Sequence, residues 1–143
     1  MGTRGFQVRL REVPEVLLPN ETSLQMAVHP AVTGTTLEAG VSLFIITYPP
    51  GVSSPEHTHV SDEYEYVLSG TGVLDSGNEK GIALEPDTIA HNPRGIIHQV
   101  TNTGQEPLKV LKIHVPPARP YGPEDIYTQK AIDEAREVFK KKA

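Results

Sequence analysis

The chain has 143 residues, no cysteine and a formal net charge of −5, with 13 basic and 18 acidic side chains. The absence of cysteine excludes disulfides and thiolate ligands, so any metal site must use nitrogen and oxygen. The acidic balance argues against nucleic-acid binding, and no apolar run approaches a membrane span or a signal-peptide core. We therefore expect a soluble cytoplasmic protein with one domain over residues 1–143.

The predicted strands are short and are separated by turns, which suits a chain with 12 glycines and 13 prolines. Residues 41–48 are apolar on both faces and predict a central strand, whereas residues 29–40 read as a loop. The other predicted strands cover residues 6–11, 16–18, 24–28, 72–75, 81–84, 88–90, 96–101 and 108–115, with a hairpin near 69–72. Such a series of short strands is typical of an antiparallel sandwich or barrel.

From residue 123 the pattern changes to a helical period. Ile132, Ala135, Val138 and Phe139 recur on one face. Acidic residues lead this segment and lysines end it, which complements the dipole of a helix. We predict a helical tail over about 123–142 that packs on the barrel or on a partner subunit.

The stretch from Gly51 to Gly70, GVSSPEHTHVSDEYEYVLSG, carries the clearest chemistry. Side chains two apart in an extended strand share a face, so His57 and His59 can direct both imidazoles at one point. Glu63 lies an even number of residues after both histidines, so its carboxylate can point to the same face. Two imidazoles and one carboxylate suit a divalent ion of the Mn, Fe, Co, Ni or Zn group.

This stretch resembles the first motif of the cupin family. Gly51, five residues, His57-x-His59, three residues, Glu63, six residues and Gly70 match every fixed position of that motif.

A second stretch, Pro93-x-Gly95-x-x-His98-x-x-x-Asn102, is similar to most of the second cupin motif. It departs at its start, where the family usually has a glycine six residues before the proline and this chain has Asp87. We interpret the departure as an altered turn that leaves His98 available as a ligand.

The resemblance implies an all-β fold, a cupin-type antiparallel barrel of jelly-roll topology over about residues 6–115, followed by the C-terminal helix. It also implies a divalent transition-metal cofactor bound by His57, His59, Glu63 and His98. Three imidazoles and one carboxylate would leave two adjacent positions open on an octahedral ion for a small-molecule substrate. The family implies dioxygenases, decarboxylases, isomerases and lyases, of which a dioxygenase-like oxidoreductase is favoured here.

Two further expectations follow from the resemblance. A homodimer is expected, through the N-terminal strand and the C-terminal helix. The alternative to an enzyme is a non-catalytic cupin that holds a small ligand as a sensor or store.

Glu65 is the candidate catalytic residue, because it shares the strand face of Glu63. It is open at this point whether Glu65 is a general base, a hydrogen-bond acceptor for a ligand histidine, a ligand after a register shift, or a rim carboxylate in water. His114 shares a strand face with Val110 and Lys112, and it is either exposed or cavity-lining. Val67, Val100 and one face of residues 41–48 are the predicted cavity lining.

Overall fold

The computed structural model describes residues 5–34, 40–120 and 125–141. A single 3-10 turn at Leu10–Glu12 precedes the first strand. The other elements in chain order are β1 (Val16–Leu17), β2 (Ser23–Val28), α1 (Pro30–Thr33), β3 (Ser42–Tyr48), β4 (Asp62–Ser69), β5 (Gly72–Ser76), β6 (Glu79–Leu84), β7 (Ile89–Asn92), β8 (His98–Asn102), β9 (Leu108–Val115) and α2 (Ile126–Lys140).

The strands form two antiparallel sheets. The larger sheet has the order β1-β2-β3-β9-β4-β7, and the smaller has the order β6-β5-β8. The apolar inner faces of both sheets meet in one core, in which Val67, Val100, Leu108 and Val110 are fully buried. The predicted all-antiparallel architecture with a C-terminal helix is confirmed.

The predicted hairpin near residues 69–72 is wrong. β4 pairs with β7 and β9, whereas β5 pairs with β6 and β8, so Gly70 and Thr71 carry the chain from the larger sheet to the smaller one. Gly70 has a φ of +86°, and a Cβ there would lie 2.4 Å from the carbonyl oxygen of Pro107. Only glycine fits this crossing without displacing backbone.

The predicted strand over residues 6–11 is also wrong. Leu10–Glu12 form a 3-10 turn instead. The Gln25 side chain holds this segment, since its Nε2 donates to the carbonyls of Leu10 at 2.9 Å and Val13 at 2.8 Å. Phe6 packs edge-on against Phe139 of α2, with ring centroids 5.5 Å apart. The alternation of apolar and polar residues in this segment therefore reflects packing against a helix, not pairing in a sheet.

Asp87 lies at the turn that departs from the cupin pattern. Its φ is +70°, the left-handed conformation that a glycine adopts without strain. The turn is held by the Asp87 N–H, which donates to the Val67 carbonyl at 2.9 Å, and by the Tyr66 hydroxyl, which donates to the Asp87 carboxylate. The aspartate therefore keeps the backbone shape of the missing glycine.

The helix α2 covers the larger sheet near β1 and β2 and also contacts α1. Asp125 caps it by accepting from the Thr128 N–H at 3.1 Å. Ala131, Ile132 and Ala135 are buried against the same chain. The apolar face of the helix is therefore already covered, and the expected homodimer stays a prediction.

Within the described residues, no helix is both long enough and apolar enough to cross a membrane.

We predict that Gly70→Ala and Gly51→Ala differ sharply in stability. Both glycines have a positive φ, but no described heavy atom lies within 4 Å of a Cβ placed at Gly51. Backbone strain alone should cost Gly51→Ala about 1 to 2 kcal/mol in free energy of unfolding. The clash with Pro107 should add about 2 kcal/mol or more for Gly70→Ala. Equal urea midpoints for the two variants would contradict this explanation.

We also predict a pH-dependent contribution from His29, which is 7% exposed. Its Nδ1 accepts the Ala31 N–H at 3.0 Å, so its Nε2 carries the proton and donates to the Ala118 carbonyl at 2.8 Å. Burial lowers the pKa of His29 below its usual value, although the bond to Ala118 opposes the shift. The neutral ring therefore contributes stability above about pH 6.5, and that contribution is lost as the pH falls below 6.5 toward the folded-state pKa.

The variant His29→Asn can still cap α1 but cannot titrate. It should lose about 1 to 2 kcal/mol at pH 7, where the bond to Ala118 is missing, and a smaller amount at pH 5. Urea unfolding at several pH values measures the difference. Parallel stability curves for the wild type and the variant would show that His29 does not contribute to the pH dependence.

Candidate metal centre

The segment that carries His57 and His59 lies beside β8 rather than in a regular strand. The His57 N–H donates to the His98 carbonyl at 3.1 Å, and the His98 N–H donates to the His57 carbonyl at 2.9 Å. This short bridge brings the two predicted motifs together. The ring centroids of His57 and His59 lie 4.3 Å and 4.9 Å from that of His98. Both imidazoles are thus near one point, although the predicted extended strand is absent there.

Backbone carbonyls set the tautomer of each of these three imidazoles. A carbonyl oxygen only accepts hydrogen bonds, so the Nδ1 that faces it must carry the proton and Nε2 keeps its lone pair. The three contacts are His57 Nδ1 to Pro55 at 2.7 Å, His59 Nδ1 to Ser61 at 3.0 Å and His98 Nδ1 to Ile96 at 3.1 Å. One ring nitrogen from each histidine lies within 4.8 Å of the others.

The buried Glu63 carboxylate adjoins this cluster. Its Oε2 lies 3.2 Å from His59 Nε2, and its Oε1 lies 3.5 Å from His98 Nε2. The structure therefore places the three histidines in one group and Glu63 beside two of them, His59 and His98, whereas Glu63 itself groups with His59 and His114. Whether they bind an ion stays a prediction.

The surroundings of the buried His98 Nε2 indicate whether these residues suit a metal ion. Among the described residues, no hydrogen-bond partner reaches this nitrogen, and the Glu63 carboxylate 3.5 Å away also carries lone pairs. Burial lowers the pKa of His98 to about 4, against the opposing charge of Glu63, so the ring is neutral near pH 7. A cation between these lone pairs would satisfy both groups, and nitrogen and oxygen donors suit a divalent transition metal.

Two side chains that the sequence left open hold Glu63 from its other side. His114 lies opposite Glu63 in the β9–β4 register, and its Nε2–H donates to Glu63 Oε2 at 2.5 Å. Asn92 Nδ2 donates to Glu63 Oε1 at 3.0 Å and to Glu65 Oε2 at 2.9 Å. Of the two alternatives for His114, the cavity-facing one is correct, because only 4% of the residue is exposed.

His114 also belongs to a second candidate ligand group. One ligand atom each from His59, Glu63 and His114 lies within 4.8 Å of the others. Because His114 donates Nε2–H to the carboxylate, it orients Glu63.

Lys112 is the residue that sequence reasoning missed. It is 3% exposed, and its Nζ lies 2.7 Å from Glu65 Oε1, 3.5 Å from Glu63 Oε1 and 5.6 Å from the centre of the Tyr48 ring. Burial works to lower the pKa of Lys112, but the two carboxylates hold it well above its usual value. The sequence of β9 could have indicated that Lys112 points inward, because Lys112 and His114 lie on the same face of the strand as Leu108 and Val110.

The carboxylates Glu63 and Glu65 respond differently to the same burial. Burial works to raise the pKa of Glu63, but the charge of Lys112 and the hydrogen bond from His114 hold it well below its usual value. Burial raises the pKa of Glu65, and Lys112 offsets only part of that increase. Glu63 is therefore the more firmly ionised of the pair.

Glu65 is fully buried, so the alternative of a rim carboxylate in water is wrong. Its oxygens face Lys112 and Asn92. The described residues that line the cavity include Glu63 and Lys112 but not Glu65. Its proposed catalytic role stays a prediction.

His57, His59, Glu63, Lys112 and His114 line part of a cavity of about 900 Å³, whereas His98 lies behind them and is not among its lining residues. Val67 and Val100 were predicted to line it but belong to the packed core instead. The apolar part of the wall comes from Leu24, Met26, Phe44, Ile46, Tyr48 and Val60, and Arg119, Tyr127 and Thr128 also line it. The inward face of β3 therefore contributes to the lining as the sequence predicted.

Residues 44–114 match the family model described as a cupin domain. The chain belongs to the cupin superfamily. It is 36% identical over 95 residues to auxin-binding protein 1 of Arabidopsis thaliana, which covers 59% of this chain and 48% of that protein. The chain spans about half the length of the curated relatives it matches.

Solved structures support the fold over a longer part of the chain. KdgF from Halomonas sp. superposes with a TM-score of 0.66 at 17% identity, covering 81% of this chain and 96% of that one. A predicted oxalate decarboxylase from Thermotoga maritima superposes with a TM-score of 0.67 at 22% identity, covering 76% and 97%. At these identities the likeness establishes the cupin fold alone.

We predict that Lys112→Met destabilises the protein by about 3 to 5 kcal/mol, because it leaves two buried carboxylates without their cation. The double variant Lys112→Met/Glu65→Gln removes one charge of each sign and should recover more than half of that loss. Urea unfolding at pH 7 measures both values. A single variant as stable as the wild type would show that the ion pair is not required by the fold.

Proposed function

We propose that this cupin is a metal-dependent enzyme that converts a small organic molecule at a divalent transition-metal ion. His57, His59, His98 and Glu63 would hold the ion. The observation that carries the proposal is the arrangement of the three imidazoles. Backbone carbonyls fix their Nδ1 protons, and their remaining nitrogens meet beside a buried carboxylate on a cavity wall.

A divalent ion in this place would act as a Lewis acid toward a substrate oxygen. The protein side chains contribute orientation and surroundings. The carbonyls of Pro55, Ser61 and Ile96 keep the imidazoles in the tautomer that a metal requires. His114 and Asn92 hold the Glu63 carboxylate in place. The apolar side chains of β2 and β3 keep water from much of the remaining wall.

A dioxygenase-like reaction is the specific form of the proposal, with a related decarboxylation or isomerisation as the alternative outcome. A ligand set of imidazole and carboxylate suits iron and manganese as well as nickel, cobalt and zinc. The structural neighbour from Thermotoga maritima is described as a predicted oxalate decarboxylase. The native metal therefore separates these reactions better than the fold does.

A second candidate is a non-catalytic cupin that binds a small ligand. Two observations favour it: the similarity to auxin-binding protein 1, and the engagement of Glu63 by Lys112 and His114. In that case the loaded protein would bind a ligand and release it unchanged.

We predict about one transition-metal ion per chain in freshly purified protein, measured by elemental mass spectrometry. The double variant His57→Ala/His98→Ala should lose it, because removing two of the four proposed ligands costs at least about 100-fold in affinity. The exposed His91 provides the control, and His91→Asn should retain the metal. A wild type that stays empty after reconstitution with Mn, Fe, Co, Ni and Zn would overturn the proposed function.

Catalysis is tested separately on the loaded protein. A panel of small organic acids, phenols and diketones is followed by proton NMR, with oxygen uptake recorded by electrode. Turnover with oxygen uptake supports the dioxygenase-like form, and turnover without it supports decarboxylation or isomerisation. Binding without turnover across the panel would favour the non-catalytic candidate.

A further inference from the structure

Lys112 places an ammonium group on the cavity wall beside the proposed metal ligands. The side chain projects inward from the middle of β9, between the neighbouring strands β3 and β4. Only 3% of the residue is exposed, yet it belongs to the lining of the cavity. A ligand that enters the cavity would therefore meet this charge in surroundings of low dielectric, where it acts strongly.

The hydrogen-bond capacity of Lys112 is only partly used. An ammonium group has three N–H donors. Glu65 Oε1 lies 2.7 Å from Nζ, and the Tyr48 hydroxyl is a second partner. Glu63 Oε1 lies at 3.5 Å, a distance at which a hydrogen bond is weak. One donor can therefore turn toward a ligand while the contact with Glu65 keeps the side chain in place.

The charges around the centre favour an anion once a metal is bound. Glu63, Glu65 and Lys112 form a buried group with one net negative charge when all three are ionised. A divalent ion would reverse this to one net positive charge. A buried excess charge is costly unless it is compensated, and a ligand with one negative charge would compensate it.

The remaining wall indicates the rest of the ligand. Met26, Phe44 and Ile46 add apolar surface to the same cavity, and Phe44 lies beside Lys112 in the β3–β9 register. A cavity of about 900 Å³ is large enough for a molecule with a ring or a branched chain.

We propose that Lys112 is a specificity-determining residue that binds the anionic group of the substrate, so the substrate is an organic monoanion with an apolar body. This inference rests on the proposed function, because it requires the metal-loaded centre. Glu65 positions Lys112 and does not touch the substrate.

The test compares an anion with its neutral counterpart. Zinc-loaded protein is titrated with 3-phenylpropionate and with 3-phenylpropanamide by isothermal titration calorimetry, with acetate as an anion that lacks the apolar body. The wild type should bind 3-phenylpropionate about 30-fold more tightly than the amide, since a charge-assisted hydrogen bond in a buried site is lost with the amide. Acetate should bind more weakly than 3-phenylpropionate.

The variant Lys112→Met/Glu65→Gln separates the lysine from the metal, because it leaves the net charge of the cluster unchanged. Its zinc affinity is measured in parallel, because Lys112 also contacts the proposed ligand Glu63, and each titration uses fully loaded protein. In this variant the preference for the anion should fall to about threefold or less. Lys112→Arg, which keeps the charge, should retain a clear preference.

Each failure has its own signature. A wild type that binds no zinc overturns the proposed function. A zinc-loaded wild type that binds neither probe, or both equally, overturns the role of Lys112 without affecting the metal site. A double variant that keeps the full preference would show that the metal alone selects the anion.

Discussion

The buried carboxylate of Glu63 is the point on which the rest of this site depends. Ionised carboxylates are rarely buried unless they are compensated, and here the compensation comes from Lys112, His114 and Asn92. Two imidazole nitrogens with lone pairs lie on its remaining side, at 3.2 Å and 3.5 Å. With donors on one side and lone pairs on the other, this carboxylate is placed where it could contribute to the proposed metal centre.

The strands that carry these residues show why the fold supports the site. β9 lies between β3 and β4, so its inward side chains are covered on both flanks. Glu63 and Glu65 on β4 face His114 and Lys112 on β9 in register. A one-residue slip of β4 against β9 would turn Glu63 and Glu65 to the face opposite to that of His114 and Lys112. The same register buries Val67 against Val110, so core packing and site geometry are fixed together.

Much of this arrangement could be predicted from the sequence. The spacing of His57, His59 and Glu63 and the resemblance of both motifs to the cupin family proposed four ligands, of which the structure groups the three histidines and places Glu63 beside His59 and His98. The bounds of β9 were predicted correctly because the run is rich in apolar and β-branched residues and is closed by Pro116 and Pro117. Local patterns work well where a short apolar run ends at clear turn residues.

Other features could not be read from local patterns. Lys112 looks like any lysine on a half-buried strand until the pairing with Glu65 is known, and that pairing joins residues far apart in the sequence. Gly70 reads as a hairpin turn, but the partners of β4 and β5 lie in different sheets. Phe6 alternates like a strand residue, yet its partner is the helix residue Phe139. In each case a tertiary contact decided the outcome.

The bridge between His57 and His98 means that an ion bound at the candidate centre would connect the two sheets. His98 begins a strand of the smaller sheet, and the His57 segment is bonded to it, whereas Glu63 belongs to the larger sheet. An ion held by all of them would therefore join the two sheets at one end of the fold, as a crosslink that no covalent bond in this cysteine-free chain provides. An ion present at 100 times its dissociation constant would add about 2.7 kcal/mol to the stability of the folded state. The thermal stability of the protein would then serve as a direct measure of how much of it carries metal.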